Sequence, residues 1–494
     1  MVTQGEAVSS TGSACRWPVP CGFTGVDVAA DVAIPLRIPS RGGVESSRYG
    51  WQVDTSARCG GLLTDKYELT MLAAALRDGT ASRRTSFELF ARRLPEGRRY
   101  GVVAGTDRFL AALTALCFDD AALSLLAEFL DPETLRYLGD FRFRGDVDGY
   151  AEGELYFAGS PVLSVHGSFA ECIVLETLLL SIFNHDTAIA SAAARMVSAA
   201  GDRPLIEMGS RRTHEQAAVA AARAAYLAGF AGTSNLEAHR SFGVPVLGTS
   251  AHAFTLLHTG ADDAGELAAF RSQVAAQGVD TTLLVDTYDV TTGVARAVEA
   301  AGPRLGAVRI DSGELAVLAH QVRDQLDRLG ATATKIVVSG DLDEFAIAAL
   351  RAAPVDSYGV GTALVTGSGA PAAGFVYKLV EVDGVPVHKR STDKTSAGGR
   401  KQALRVSRSS GTLVEEVVYP AGRPPEVNEP NRLLTVPLVR GGEVVTGTGA
   451  TALAAARDRV ASGLHSLPWE GLKLAHGEPA IPTRVIAGEP RSSA

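Results

Sequence analysis

The stretch Val244-Pro245-Val246-Leu247-Gly248-Thr249-Ser250-Ala251-His252-Ala253-Phe254 passes from an apolar run to small polar residues and then to one histidine. Val244 to Leu247 carries β-branched members and reads as a short buried strand. Gly248-Thr249-Ser250 suits a tight turn with free backbone and hydroxyl donors, and His252 follows at once. A strand end that gathers small donors and a single imidazole is where an α/β enzyme keeps its chemistry. A lone histidine in such a place is more often a packed side chain, so the neighbouring segments have to decide its role.

Outward from this stretch, strand-like runs recur at Pro204-Leu205-Ile206, Thr282 to Val285, Gly306 to Ile310, Lys335 to Ser339 and Ser357 to Val360, each separated from the next by a helical pattern. Strands alternating with helices predict a parallel sheet or barrel. Each run ends in polar residues or glycine, so the polar groups collect at one face, as in a TIM-type barrel. Six strands rather than eight predict an irregular, incomplete α/β barrel.

The strand ends carry distinct chemistries. Asp286 and Asp289 follow Leu283-Leu284-Val285. They serve either as helix caps or as carboxylates that bind magnesium or orient the histidine; magnesium needs only one or two carboxylates plus substrate phosphates. Arg309 lies inside the run Val308-Arg309-Ile310-Asp311-Ser312-Gly313-Glu314-Leu315. A strand arginine is expensive to bury unless something anionic meets it, a salt bridge or a ligand. Ser312 and Gly313 form a turn with hydroxyl and backbone donors. Ser339-Gly340-Asp341 and Gly359-Val360-Gly361-Thr362 end the last two strands, the place where barrels commonly hold phosphate. Arg211 and Arg212 follow the Leu205-Ile206 run; their planar forks suit pyrophosphate, and a cation pair at the start of a helix opposes its dipole.

Composition narrows the function classes. The 494 residues are 46% hydrophobic, enough for two or three domains with sizeable cores. Net charge is −8 with no basic tract, which argues against nucleic acid. The five cysteines (Cys15, Cys21, Cys59, Cys117, Cys172) are odd in number and show no metal-binding spacing, so reduced thiols and a cytoplasmic location are expected. The apolar run Ile173 to Phe183 is too short to span a bilayer, and no membrane association is expected. Residues 1–58 lack periodicity and read as a disordered or misassigned extension. Segment 59–168 reads as an N-terminal β-rich domain, 169–380 as the barrel, 381–476 as a return to the smaller domain and 477–494 as a loose tail. His185, on an apolar helix, reads as a core or contact residue.

The blocks Gly61-Leu62-Leu63-Thr64-Asp65-Lys66-Tyr67-Glu68-Leu69-Thr70-Met71, Arg211-Arg212, Gly232-Thr233-Ser234-Asn235, Gly248-Thr249-Ser250-Ala251-His252 and Val308 to Leu315 together resemble nicotinate phosphoribosyltransferase, over roughly residues 61–405. Glu314 departs mildly from that family's V-R-I-D-S-G-D-L motif. The resemblance implies a smaller β-rich domain built from N- and C-terminal segments beside the incomplete barrel. It implies transfer of the phosphoribosyl group from phosphoribosyl pyrophosphate to nicotinate, with ATP as co-substrate and Mg2+ as cofactor, in a homodimer. By the same resemblance His252 is phosphorylated by ATP, Tyr67 stacks on the pyridine ring, and Arg309 and Thr249 face nicotinate. Arg211, Arg212, Ser312, Gly313, Ser339, Gly340, Asp341, Gly359, Gly361 and Thr362 would then hold phosphoribosyl pyrophosphate, with Asp286 and Asp289 toward the metal. The rivals are nicotinamide phosphoribosyltransferase and an inactive nucleotide-binding homologue.

Overall fold

The computed structural model describes residues 59–258, 265–389 and 398–486. The reading of residues 1–58 therefore lies outside the described residues.

Six strands form one parallel sheet in the order Gly232–Thr233, Leu205–Glu207, Ser357–Val360, Lys335–Val338, Ala307–Ile310 and Thr282–Leu284. Followed around the sheet this is the chain order of a barrel, joined between the last and first strands and left open between Gly232–Thr233 and Thr282–Leu284. The incomplete α/β barrel expected from the sequence is the architecture found. Alternation along each strand sends one set of side chains into the helix-covered core: Val308 and Ile310 are fully buried there, as are Ile336, Val338, Tyr358 and Val360, while Arg309 takes the other face. Full burial of one such aliphatic side chain stabilises by about 1.5–3 kcal/mol.

The opening stretch is corrected. Val244 to Leu247 is not a ladder strand; Val246 makes a single parallel bridge to Thr233. Its two bonds are Thr233 N–H to the Pro245 carbonyl (2.9 Å) and Leu247 N–H to the Thr233 carbonyl (2.8 Å). Pro245 has no N–H to extend the ladder, and Gly243 and Gly248 flank the run, so pairing stops after one residue. The sheet edge is instead the Gly232–Thr233 strand, which the sequence reading did not pick out.

An antiparallel seven-stranded sheet stands beside the barrel, built from Arg84–Ala91, Asp146–Tyr150 and Leu163–Ser168 of the N-terminal part and Phe375–Val382, Val385–Pro386, Thr435–Arg440 and Glu443–Val444 of the C-terminal part. The smaller domain expected from both ends of the chain thus exists. The helix Glu176–Ala200 joins the two cores. Its first half packs Leu178, Leu179, Ile182 and Phe183 under the antiparallel sheet, and its second half packs Ile189, Ala190, Ala193, Ala194 and Met196 under the barrel. It continues well past Phe183, so the apolar stretch Phe169–Ala200 does reach membrane-spanning length by composition. Its burial is that of a core helix. Thr187 and Ser191 bond backbone carbonyls, and Asp186 and Arg195 are paired with Arg108 and Glu344.

Two further expectations are corrected. Cys59 and Cys117 form a disulfide, with Cα atoms 4.9 Å apart. The pair is 58 residues apart in sequence and becomes adjacent only when the turn before the first helix packs on the 116–118 loop. Cys172 alone is free among the described cysteines, and it is buried. The tail is not loose through Ile486: Thr483–Val485 pairs in parallel with Leu413–Pro420, and Ile481 is buried.

Candidate active site

His252 begins the helix His252–Leu257 just beyond the Val246 bridge, at one open edge of the barrel. Its Nδ1 lies 3.1 Å from Thr287 Oγ1, in the turn after the strand at the opposite edge. The imidazole thus spans the barrel opening. Its Nε2 faces two carboxylates, Asp286 Oδ1 and Asp311 Oδ2, each at 3.9 Å. Asp286 is almost wholly enclosed (2% exposed); its Oδ2 accepts from the Asp311 N–H (2.9 Å) and Ser312 Oγ (2.8 Å), while its Oδ1 has no hydrogen-bond partner among the described residues. Asp289 is exposed, and its Oδ1 caps the Val290–Ala301 helix through Thr292 N–H and Oγ1.

Arg309 projects from the neighbouring strand. Its Nε donates to Ser339 Oγ (2.8 Å) and its Nη2 to Asp311 Oδ1 (2.9 Å), and Ser339 Oγ donates to the same Asp311 oxygen (2.5 Å). The Arg309 side chain is 13% exposed, and its Nη1 makes no hydrogen bond among the described residues. Burial alone would push the Asp311 carboxyl up, but the Ser339 hydroxyl, the Arg309 charge and hydrogen bond, and His252 together hold it below its usual value. Gly340 has φ +109°, and any Cβ there would collide with the Asp311 carbonyl. Only glycine lets the two loops close on each other at that point.

The remaining strand ends lie at the same C-terminal edge of the parallel sheet. Gly209-Ser210-Arg211-Arg212 forms a turn after Leu205–Glu207 that runs from buried Gly209 to the exposed Arg211 and Arg212, and neither arginine side chain has a partner among the described residues. Gly361 and the exposed Thr362 open the short Thr362–Val365 helix. Gly359 serves packing: a Cβ would stand 2.8 Å from Met208 Sδ and 3.1 Å from Ser339 Cβ. Thr249 and Ser250 sit half-buried before His252 with only long bonds to neighbouring carbonyls.

Tyr67 makes no contact with this cluster among the described residues. It lies on the Lys66–Asp78 helix, 45% exposed, bordering an open hollow of about 500 Å³ lined with Thr177, Leu180, Asn184, Gly374 and Phe375. Partial burial, and then the Glu176 carboxylate, push its hydroxyl up to about 12, so the ring is neutral and apolar in character. Leu62, Leu63 and Met71 are exposed on the same segment. His185 bonds Asp186 (2.9 Å) on the core helix, as a packed residue does.

Two family models match this chain: the nicotinate phosphoribosyltransferase N-terminal domain over residues 62–184, and the nicotinate phosphoribosyltransferase family over residues 204–413. The chain belongs to the nicotinate phosphoribosyltransferase family. It is 75% identical over 429 residues to nicotinate phosphoribosyltransferase pncB1 of Mycobacterium tuberculosis, covering 86% of this chain and 95% of that one. It is 38% identical over 402 residues to the Bacillus subtilis nicotinate phosphoribosyltransferase, covering 78% and 80%. Its fold matches the crystal structure of human nicotinic acid phosphoribosyltransferase with a TM-score of 0.73 at 26% identity, over 85% of this chain and 97% of that one.

Set within that family, the first matched segment contains Tyr67 and the second contains every strand-end residue described above. Three residues escaped sequence reasoning. Thr287 orients the histidine, Asp311 receives both Arg309 and Ser339, and Glu207 is a fully buried carboxylate at a strand end. Asp311 and Thr287 stood inside quoted motifs, beside residues already singled out. Glu207 was missed because the strand was ended one residue early, at Ile206.

Proposed function

We propose that this chain joins nicotinate to phosphoribosyl pyrophosphate, forming nicotinate mononucleotide and pyrophosphate, the first step of NAD salvage from nicotinate, with ATP hydrolysed alongside. The observation that carries this reading is Arg309. It is a strand arginine, mostly enclosed, with two nitrogens fixed by Ser339 and Asp311 and the third without a hydrogen bond among the described residues. An open donor on a fixed guanidinium suits a carboxylate. Nicotinamide, which lacks that charge, would gain little from it, and an inactive homologue would have no use for it.

The transfer attaches the pyridine nitrogen to C1 of the ribose as pyrophosphate departs. The charge builds on the sugar and the leaving group, so the protein's task is positioning and electrostatic stabilisation rather than nucleophilic attack. Arg211 and Arg212 are assigned to the pyrophosphate, and Ser312, Gly313, Ser339, Gly340, Asp341, Gly359, Gly361 and Thr362 to the phosphoribosyl group. Thr249 borders the nicotinate.

Among the described residues no group of three or more metal-ligating side chains occurs, which suits magnesium held by one or two carboxylates and substrate phosphates. Asp286 fits through its unpartnered Oδ1, and Asp289 through the oxygen its cap leaves unused. The metal would neutralise charge on the pyrophosphate.

His252 is assigned the ATP-dependent step. Its imidazole takes the terminal phosphoryl group of ATP, releasing ADP, and water then releases phosphate. Thr287 at Nδ1 and the carboxylates at Nε2 fix the ring for that exchange.

Tyr67 supports a homodimer reading. Exposed beside Leu62, Leu63 and Met71 and making no contact with Arg309 among the described residues, it is assigned to stack on nicotinate held by a second copy. Consumption of ATP and phosphoribosyl pyrophosphate favours the cytoplasm.

The direct test supplies purified enzyme with phosphoribosyl pyrophosphate and either nicotinate or nicotinamide, with and without ATP. Product from nicotinate, enhanced by ATP, supports the reading; preference for nicotinamide, or no product from either, contradicts it.

A further inference from the structure

Glu207 is fully buried at the end of the Leu205–Glu207 strand, and no cation lies within ion-pair distance of it among the described residues. An unpaired buried carboxylate is costly, and burial pushes this one up. Its position explains why such a group is kept. In the sheet it stands between Val360 and Thr233, with its carbonyl accepting from Ser234 N–H at 2.9 Å and the next N–H, from Met208, donating to the Val360 carbonyl at 2.8 Å.

The side chain closes a ring of hydrogen bonds. Gly209 N–H donates to Oε1, and Thr233 Oγ1 donates to Oε2. Thr233 Oγ1 accepts in turn from Asn235 N–H (2.9 Å), and Asn235 Nδ2 donates to Ser210 Oγ (3.0 Å), the residue after Gly209. The ring therefore fixes Gly209 and Ser210, the first two residues of the turn from which Arg211 and Arg212 project, and Arg212 N–H closes the turn onto the Gly209 carbonyl at 2.8 Å. Gly209 is wedged as well: a Cβ there would run into Val365 and stand 3.1 Å from the Gly361 carbonyl, so the turn also seats against the last strand-end loop.

We propose that Glu207 is the positioning residue of the arginine pair: through this ring it holds the Gly209–Arg212 turn so that both guanidiniums meet phosphoribosyl pyrophosphate together. Glu207 touches no substrate; it acts through the turn. The inference rests on the assignment of Arg211 and Arg212 to the pyrophosphate. Two acceptor oxygens are needed at one strand end, which a carboxylate supplies. A glutamine supplies one acceptor and can still donate to Thr233 Oγ1, so it retains the ring; alanine removes both links.

The test is steady-state kinetics of the full chain. Glu207→Ala raises KM for phosphoribosyl pyrophosphate about tenfold or more, with KM for nicotinate unchanged and kcat within about threefold. Glu207→Gln restores most of the affinity. General loosening of the fold would instead reduce the active fraction without a selective change in KM. Should Glu207→Ala fail to fold, Ser210→Ala breaks the ring at a half-buried hydroxyl and shows the same selective change at smaller size. Arg211→Ala and Arg212→Ala separate the two levels. If they leave that KM unchanged, the arginine assignment falls and the inference with it. If they raise it while Glu207→Ala and Ser210→Ala do not, the role of Glu207 alone is overturned.

Discussion

Two arginine clusters in this molecule use the same chemical groups to different ends. Arg405, 1% exposed, donates to Glu416 (2.7 Å) and to the Leu155 carbonyl (2.8 Å) and lies 3.6 Å from Glu154. Glu416 also receives the hydroxyls of Tyr150 (2.8 Å) and Ser160 (2.5 Å), and Arg432 covers Glu154 at 2.8 Å. Every charge in the cluster has an opposite charge beside it, only Arg405 Nε lacking a hydrogen bond among the described residues, and the cluster staples the Lys401–Ser407 and Leu413–Pro420 strands to the antiparallel sheet. The Arg309 cluster is left open. Among the described residues Arg309 Nη1 and Asp286 Oδ1 have no hydrogen-bond partner, and the His252 side chain is 39% exposed. Buried charge that is internally answered serves the fold; charge fixed on one side and unanswered on the other serves a ligand.

The sharpest way to break this contrast is at His252. His252→Ala should abolish ATP hydrolysis while retaining some ATP-independent transfer, because joining nicotinate to ribose does not use the imidazole. Radiolabelled phosphate from ATP should appear on His252 of the wild type. Label on another histidine, or none, would remove the ATP-dependent role from His252.

Next in size is Arg405→Ala. It strands Glu416 in the interior and should cost about 3–5 kcal/mol of stability in denaturant titration, with kcat/KM per folded molecule nearly unchanged. A stable fold with lost activity would mean that the closed cluster also acts in catalysis.

The two site carboxylates should respond oppositely to pH. The carboxyl of Asp311 is held low, so its contribution is present above the unfolded value near ~3.9 and is lost as pH falls through the folded value. That of Glu207 is raised by burial, so its penalty appears as pH rises from the unfolded value near ~4.3 through the folded one. At neutral pH Asp311→Asn should therefore unfold more easily than wild type and Glu207→Gln less easily, and both differences should vanish in strong acid. Unfolding curves that shift equally with pH in all three proteins would refute the assignment.

The smallest effect is expected at Asp343, which caps the Glu344–Ala349 helix through Phe345 N–H (2.9 Å) and Ala346 N–H (2.8 Å), next to the Ser339–Asp341 loop. Asp343→Ala should cost about 1 kcal/mol of stability and leave kcat/KM within twofold, marking where the site ends. A tenfold loss of activity would extend the site into that cap.

How much of this was legible beforehand depended on how local the cause was. The strands around Val308, Val337 and Tyr358 announced themselves by apolar runs ending in polar residues, and Arg309 by being a cation within one. The Val246 edge was misjudged because a ladder depends on partners as well as side chains, and Pro245 withholds the donor. The Cys59–Cys117 bridge and the ring around Glu207 join residues distant in sequence, so neither leaves a periodic or spaced signal. Tyr67 was recognised by its motif, yet nothing in its own segment could say that it would border a separate hollow and make no contact with Arg309 among the described residues.

We propose that Arg309 reads the nicotinate carboxylate, which is tested by comparing kcat/KM for nicotinate and nicotinamide in wild type and Arg309→Ala. A charge-assisted hydrogen bond is worth ~1.5–3 kcal/mol, so the variant should lose roughly ten- to a hundredfold or more on nicotinate and little on nicotinamide. An equal loss on both substrates would contradict the account and return Arg309 to a phosphate-binding or purely structural role.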